Sequence, residues 1–181
     1  MWQRVGTALA MIAVAGCGGA GKDDRMNDNA TIAELSLASS DISDGHEIET
    51  RFTCDGKDLS PALSWGEPPP GTRSFALIVD DPDAPSGLFR HWGAFDIPAD
   101  TRAMATGQAI GRQALNDFGK SGYGGPCPPQ GHGPHHYHFK LLALDVDKLA
   151  VGANPKVAEV EQAARQHAIG HGEIVATYER E

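Results

Sequence analysis

The sequence predicts a mainly β domain in which an antiparallel sheet is covered by one late helix. Short apolar or alternating runs follow one another between turns rich in Gly and Pro, which is the pattern of neighbouring strands. Helical periodicity is convincing only between Asn154 and Gly170. A chain of 181 residues is long enough for one domain with a sizeable core, and a second domain would be cramped.

Residues 1–16 are predicted to be an export signal rather than part of the fold. A basic start at Arg4 precedes an apolar stretch, residues 5–15, that is too short to span a bilayer as a stable helix. Val14-Ala15-Gly16-Cys17 resembles the bacterial lipobox, so cleavage before Cys17 would leave a cysteine carrying acyl chains such as palmitate. Two or more such chains anchor a protein stably. An ordinary signal peptide or an apolar N-terminal strand is the alternative.

Residues 17–30 are predicted to be a flexible tether, because they are polar, rich in Gly and without periodicity. The folded domain is expected to span residues 31–181. A formal net charge of −9 argues against a nucleic-acid partner. We therefore expect an exported domain that is lipid-anchored to a bacterial cell-envelope membrane and lies outside the cytoplasm.

The first half of the domain is predicted to contain five extended segments. Ile32, Leu35 and Leu37 begin a strand-like pattern, and the following segments are separated by turns such as Glu67–Thr72. Pro61 keeps the segment Leu59–Trp65, the third of the five, out of a helix. The four extended segments after the first are Glu47–Phe52, Leu59–Trp65, Ser74–Val79 and Trp92–Ile97.

The second half is predicted to contain a long loop, two strands and the helix. Residues 99–120 show little pattern and are expected to form a loop. His135–Asp145 alternates, which places His135 and Tyr137 on one face and His136 and His138 on the other. We expect Asn154 to cap a helix whose first residue is Pro155 and which stops at Gly170, before a last strand, Glu173–Tyr178.

Cys54 and Cys127 are the cysteines that remain once Cys17 is assigned to the lipid anchor. Two cysteines in an exported domain are candidates for one disulfide, because the compartment is oxidising. Two separate thiols, one of them buried, are the alternative.

Two loops carry most of the polar chemistry. Pro82 and Pro85 stiffen the acidic loop after Asp80, so that Asp81 could orient an imidazole or accept a proton. Turn stabilisation by the three Asp residues of this loop is the plainer interpretation. The Gly- and Pro-rich loop, residues 124–129, could expose backbone N–H groups that hold an anion, or could be a rigid turn without a ligand.

The histidines and Cys127 raise two enzymatic hypotheses. His136 and His138 could share a metal ion, but no third ligand follows from the spacing, and we expect no metal site and no other cofactor. Cys127 and His135 could form a nucleophilic pair. A thiol between two prolines has no helix N-terminus to lower its pKa, and a disulfide would abolish its reactivity. We therefore expect no catalytic residues.

Several long motifs together resemble the phosphatidylethanolamine-binding protein family, in particular its bacterial Raf-kinase-inhibitor-like branch. The resemblance extends from about Ser36 to Tyr178. It rests on five segments: Phe52–Trp65, Asp80–Gly87, His91-Trp92, Asp117–Pro129 and His135–Tyr137. The family implies a large antiparallel sheet, a second smaller sheet and a few helices, with a pocket that binds phosphate, acetate or phospholipid headgroups.

Carried over residue by residue, the resemblance assigns nine residues to the pocket. These residues are Asp81, Ala84, Pro85, His91, Gly125, Pro128, Pro129, His135 and Tyr137. Two departures bear on the ligand: Pro126-Cys127 lies inside the second loop, and His136 replaces an Arg often found beside the pocket histidine. The backbone donors of this loop therefore need not align with those of other members.

The function expected from this sequence is non-catalytic binding of a small anion or a phospholipid headgroup by a cell-envelope lipoprotein. Protonated imidazoles and backbone N–H groups of the two loops would counter the charge of the anion. The alternative is an inhibitor that sequesters an envelope protease or another protein partner, for which residues 99–120 are the candidate contact loop.

Overall fold

The computed structural model describes residues 1–2 and 32–181. Within this part of the chain there are nine strands, one α-helix and a short 3-10 turn at Thr50–Phe52. The helix, α1, is Val157–His167. The strands are β1 (Ala33–Glu34), β2 (Leu37–Ala38), β3 (Leu63–Trp65), β4 (Ser74–Asp81), β5 (Phe89–Pro98), β6 (Ala103–Met104), β7 (Arg112–Gln113), β8 (His135–Leu144) and β9 (Ala168–Tyr178).

The strands form two sheets, as expected for the mainly β class. The large sheet has the order β1-β9-β8-β4-β5-β7, and the small sheet has the order β2-β3-β6. The small sheet is antiparallel throughout. The large sheet is mixed rather than purely antiparallel, because β1 pairs in parallel with β9 at its edge.

The long strands of the large sheet separate two apolar cores. Every residue of β4 is buried, which explains its continuous apolar run. On one face of the sheet, Phe75, Trp92 and Phe139 pack toward the small sheet. On the other face, Val157 and Val160 of α1 pack on the cluster that contains Ile78. The spacing of the apolar residues in α1 matches this contact.

The alternation predicted for His135–Asp145 is confirmed in β8. His135, Tyr137 and Phe139 are buried, whereas His136 is exposed and His138 is half-buried. The predicted strands Ser74–Val79, Trp92–Ile97 and Glu173–Tyr178 are also present, each as part of a longer strand. This alternation determines which histidines face the cavity described below.

The predicted strand Glu47–Phe52 was wrong. The segment meets β9 at its first residues, where the Thr177 N–H donates to the His46 carbonyl at 2.9 Å and the Ile48 N–H donates to the Thr177 carbonyl at 2.7 Å, and then turns. The Phe52 N–H donates to the Glu49 carbonyl at 2.9 Å within the 3-10 turn. This turn directs the Phe52 ring into the core, where it is fully buried.

The predicted start and stop of the helix were also wrong. Leu115 pairs with the backbone at Pro155 and Val157, at 2.9 and 3.0 Å, which keeps Pro155 and Lys156 extended. The Lys156 N–H donates to the Glu159 carboxylate at 2.7 Å. Gly170 lies inside β9, where an added Cβ would lie 3.0 Å from the Pro69 ring. This glycine therefore serves strand packing rather than helix termination.

Residues 99–120 are not simply a loop. Strand β6 joins the small sheet and β7 joins the large sheet, so this segment is held to both layers.

Candidate functional site

A cavity of about 290 Å³ lies where the C-terminal end of β4 meets the N-terminal ends of β5 and β8. The strands supply its acidic and imidazole side chains, and three loops complete its wall. The lining residues are Asp81, Ala84, Pro85, Ser86, Phe89, His91, Phe118, Cys127, Pro128, Pro129 and His135.

Seven of the nine residues assigned to the pocket from the sequence line this cavity, and Gly125 and Tyr137 do not. Gly125 lies behind the wall, where its N–H donates to the Asp58 carboxylate at 2.6 Å. Tyr137 is fully buried, and the centroid of its ring lies 5.2 Å from that of His91. Both residues therefore support the wall, and contact of any of the nine with a ligand stays a prediction.

Asp81 and His135 form a buried pair in the cavity wall. Their side chains are only 4% and 2% exposed, and Asp81 Oδ2 lies 2.7 Å from His135 Nδ1. The other carboxylate oxygen accepts the Asp83 N–H at 2.8 Å. Because an ionised carboxylate only accepts, the proton of this bond lies on Nδ1 of His135. Asp81 thus orients the imidazole, one of the roles considered for it from the sequence, and its bond to Asp83 also stabilises the turn.

His132 is a neighbour that the sequence prediction did not place in the site. Its Nδ1 lies 2.9 Å from Nε2 of His135, so both ring nitrogens of His135 are engaged. The His132 side chain is exposed, and it connects the buried pair to the surface. The signal available in the sequence was its position three residues before His135.

His91 is held by the second loop. Its Nδ1 lies 2.8 Å from the Gly124 carbonyl and 3.1 Å from the Gly125 carbonyl. Carbonyl oxygens only accept, so Nδ1 carries a proton and donates to this pair of oxygens. Burial lowers the pKa of His91 below its usual value, although the two carbonyls and Asp81 oppose this shift. At neutral pH the ring is therefore uncharged, and Nε2 is an acceptor.

Tyr137 is a neutral group behind these two histidines. Burial raises the pKa of its phenol far above the usual value, and the nearby Asp81 charge adds to this effect. The hydroxyl has no hydrogen-bond partner among the residues that the structure describes. It remains protonated under ordinary conditions and contributes a dipole rather than a charge.

Of the backbone N–H groups in residues 124–129, only that of Cys127 has no partner among residues 32–181. The Gly124 N–H donates to the His91 carbonyl at 3.0 Å, and Gly125 is bonded to Asp58. The prolines at 126, 128 and 129 have no N–H. In the first loop, by contrast, the N–H groups of Ala84 and Ser86 have no partner within residues 32–181. The backbone donors available to an anion are therefore those of Cys127, Ala84 and Ser86.

Cys54 and Cys127 are joined by a disulfide, with a Cα–Cα distance of 5.4 Å. The Cys54 N–H also donates to the Pro126 carbonyl at 3.1 Å. Because Cys127 lines the cavity, this cross-link fixes one wall of the site to the loop that follows the 3-10 turn. The hypothesis of a Cys127 nucleophile is contradicted, since a sulfur in a disulfide is not a thiolate.

Phe89 and Phe118 form an aromatic wall that the sequence prediction missed. The two ring centroids lie 4.8 Å apart, and both rings contact His91. Phe118 lines the cavity and is about two-fifths exposed, so the cavity mouth has an apolar edge there, and Leu88, which precedes Phe89 in the sequence, is equally exposed. The motif Asp117–Pro129 contains Phe118, but nothing in the local sequence indicated that this loop folds back onto β5.

His136 and His138 lie on the opposite face of β8 from the cavity. His136 pairs with Asp83 at 2.7 Å, and His138 pairs with Glu173 at 2.8 Å. No cluster of three or more His, Cys, Asp or Glu side chains suited to a metal ion occurs among residues 1–2 and 32–181. None of the helices in this same part of the chain is long and apolar enough to cross a membrane.

Comparison with known proteins gives a consistent result. The sequence profile described as phosphatidylethanolamine-binding protein matches residues 38–179. The UPF0098 protein YbcL of Escherichia coli is 38% identical over 169 residues, covering 83% of this chain and 91% of the relative. A Mycobacterium tuberculosis protein named "Putative lipoprotein LppC" is 39% identical over 191 residues, covering 96% of this chain and 93% of the relative.

The fold agrees with solved structures. The crystal structure of Escherichia coli YbcL, described as a new member of the mammalian PEBP family, has a TM-score of 0.77 and 36% identity, covering 82% of this chain and 100% of that one. The crystal structure of a protein from Chlamydia trachomatis, described as a "Putative PhosphatidylEthanolamine-Binding Protein (PEBP) Homolog", has a TM-score of 0.75 and 34% identity, covering 82% of this chain and 99% of that one. The family profile spans most of the folded domain and these relatives cover it at well over 30% identity, so the chain belongs to the phosphatidylethanolamine-binding protein family.

Proposed function

We propose that this protein is a non-catalytic, cell-envelope lipoprotein that binds a small anion, such as phosphate or a phospholipid headgroup. The observation that carries the proposal is the buried Asp81–His135 pair next to His91, in a cavity of about 290 Å³. A volume of this size suits a small polar group and is at the low end for ligand pockets.

The anion would bind between the first loop and the two imidazoles. The free N–H groups of Ala84 and Ser86 would donate to its oxygens. His135 would take up a proton as the anion enters, because the imidazolium then lies between two negative groups, Asp81 and the ligand. His132 would give up its hydrogen bond to Nε2 of His135 in the same step.

Two features support a binding role rather than turnover. The sulfur of Cys127 is sealed in a disulfide, and Asp81 already accepts two hydrogen bonds. The exposed Phe118 at the mouth offers an apolar surface to the remainder of a larger ligand. A headgroup with attached hydrocarbon would use both parts of this site.

The lipid anchor is proposed from the lipobox-like segment that ends at Cys17. That segment, the signal peptide and the tether lie outside the described residues. The mycobacterial relative named as a lipoprotein supports the same anchoring for this chain. Mass spectrometry of the N-terminal peptide from membranes tests it, and an unmodified peptide that begins at Met1 would contradict it.

Calorimetric titration with inorganic phosphate between pH 5 and pH 8 tests the binding proposal. His91 has a lowered pKa, so it gains a positive charge only in the acidic part of this range. Affinity is expected to rise as the pH falls, because both imidazoles become donors to the anion. No binding at any pH, or an affinity that does not change with pH, would contradict the proposal.

Sequestration of a protein partner is the second candidate, and the exposed apolar side chains of Leu88 and Phe118 are what favour it. The segment expected to make this contact, residues 99–120, is instead held by β6 and β7 to the two sheets. A pull-down from envelope extract with wild type and a Leu88→Ser/Phe118→Ser variant tests it. A partner lost only with the variant would support sequestration, and equal recovery would contradict it.

A further inference from the structure

We propose that the cavity selects anions that retain a hydroxyl group, binding phosphate and rejecting sulfate, because Nε2 of His91 accepts a hydrogen bond from the ligand. This inference rests on the proposed anion-binding function and narrows its ligand to inorganic phosphate, because the phosphodiester of a phospholipid headgroup has no hydroxyl to donate. Inorganic phosphate carries at least one hydroxyl across the physiological pH range, whereas sulfate carries none.

The tautomer of His91 is fixed by geometry. Two carbonyl oxygens, of Gly124 and Gly125, face the same ring nitrogen at 2.8 and 3.1 Å. A ring that turned its unprotonated nitrogen toward them would place lone pairs against lone pairs in a buried position. The other nitrogen, Nε2, has no hydrogen-bond partner among the described residues, and the ring lines the cavity. It therefore presents a lone pair to a ligand.

Asp81 adds a second acceptor to the same wall. Its carboxylate also lines the cavity, and it carries a full negative charge beside the space that an anion would occupy. A sulfate ion has no proton to donate, so it would leave Nε2 of His91 unpaired and could add no hydrogen bond to the two that the carboxylate already accepts. A phosphate hydroxyl could donate to one of them while its remaining oxygens accept from Ala84 and Ser86.

The expected discrimination is large. A site that hydrogen-bonds a ligand hydroxyl rejects an analogue that lacks it, because buried acceptors are then left unpaired. We expect phosphate to bind roughly 100-fold more tightly than sulfate at pH 7.5, a ratio at the cautious end for such sites.

The charged groups around His91 define when this selectivity disappears. Asp81 on β4 and Asp117 in the segment after β7 act on it as negative charges, and His135 and the neutral Tyr137 lie on β8. When the pH falls far enough to protonate Nε2, His91 becomes a donor on both nitrogens. Sulfate should then bind, and the ratio between the two anions should shrink.

Calorimetry of the disulfide-bonded protein with phosphate and with sulfate, at pH 7.5 and pH 5, tests this inference. We expect the roughly 100-fold preference at pH 7.5 to decrease at least tenfold at pH 5. Equal affinities at pH 7.5 would overturn the inference and leave anion binding intact. Failure of both anions to bind at either pH would overturn the proposed function together with the inference.

Two variants locate the effect. His91→Phe keeps an aromatic ring among Phe89, Phe118 and Tyr137 but removes the acceptor, so the preference should fall to within about tenfold. His136→Gln, on the exposed face of the same sheet, should keep the wild-type ratio. An unchanged ratio in His91→Phe would overturn the role of His91. If that variant does not fold, the pH series on the wild type decides.

Discussion

Asp80 and Asp81 are adjacent, buried carboxylates that point to opposite faces of the large sheet, and they have different partners. Asp80 accepts two hydrogen bonds from Nζ of Lys140, at 2.7 and 2.9 Å, on the face covered by α1. Asp81 accepts from His135 at 2.7 Å in the cavity wall. The difference is in the partner, because an ammonium group keeps its charge near neutral pH and an imidazole does not.

This contrast separates a structural pair from a functional one. Among residues 32–181, the hydrogen bonds to the Asp80 carboxylate come from the Lys140 ammonium group, so the two charges compensate each other. His135 retains a second nitrogen, and the group that now meets it is the exposed His132. A ligand can replace that contact.

Removing the disulfide, which lies beside the cavity and the Asp81–His135 pair, should give the largest loss of unfolding free energy. It closes a segment of 73 residues, so the Cys54→Ser/Cys127→Ser variant should lose about 4 kcal/mol of unfolding free energy. Phosphate affinity should fall as well, because Cys127 and Pro128 form part of the wall. Urea denaturation and calorimetry measure both quantities. A variant with wild-type stability would show that the cross-link does not hold this wall.

Lys140→Met tests whether the Asp80–Lys140 pair serves stability rather than binding. It leaves the Asp80 carboxylate buried and unpaired, which should lower the unfolding free energy by about 3 kcal/mol. The double variant Asp80→Asn/Lys140→Met should recover much of this loss, and phosphate affinity should stay unchanged in both. Weakened phosphate binding by Lys140→Met, in a protein that is still folded, would contradict the separation of the two pairs.

His135→Gln tests whether the Asp81–His135 pair serves phosphate binding. It removes the group that would charge when the anion binds, and a charge-assisted hydrogen bond contributes about 1.5–3 kcal/mol, so phosphate should bind roughly 10- to 100-fold more weakly. The matched control is His136→Gln, one residue along β8 on the opposite face, which should bind phosphate normally. Calorimetry at pH 6 compares the two variants. Equal losses in both would refute the assignment.

Arg73→Gln should have the smallest effect on the unfolding free energy, and it serves as the reference for the buried pairs. Arg73 forms an ion pair with Asp147, but both side chains are more than half exposed. Exposed pairs contribute less than about 1 kcal/mol, and salt screens them further. Urea denaturation should show a change within this range. A loss as large as that of Lys140→Met would mean that burial does not distinguish these pairs.

Features with a strong local signal were predictable from the sequence. The alternation in β8 gave the correct face for His135 and His136, because side chains of a strand alternate regardless of the rest of the fold. The apolar run that became β4 led directly to Asp81, the acidic member of the cavity. The cysteine count and the expected compartment indicated the disulfide.

Features that depend on distant contacts were not predictable. The segment expected as Glu47–Phe52 meets β9 only at its first residues, and the competing 3-10 turn buries Phe52. The helix start was displaced because Leu115 pairs with the residues before it. The partner of the Gly125 N–H, Asp58, lies 67 positions away, so no local pattern could show that this donor is taken.

The measurement that tests the central claim most directly is a titration of the protein with phosphate, followed by the nitrogen NMR shifts of its eight histidines. We predict that the resonances of His91, His132 and His135 change, with His135 moving to the imidazolium form. The resonances of His46, His136, His138, His167 and His171 should stay in place. Changes confined to these five, or none at all, would contradict an anion site at Asp81 and His135.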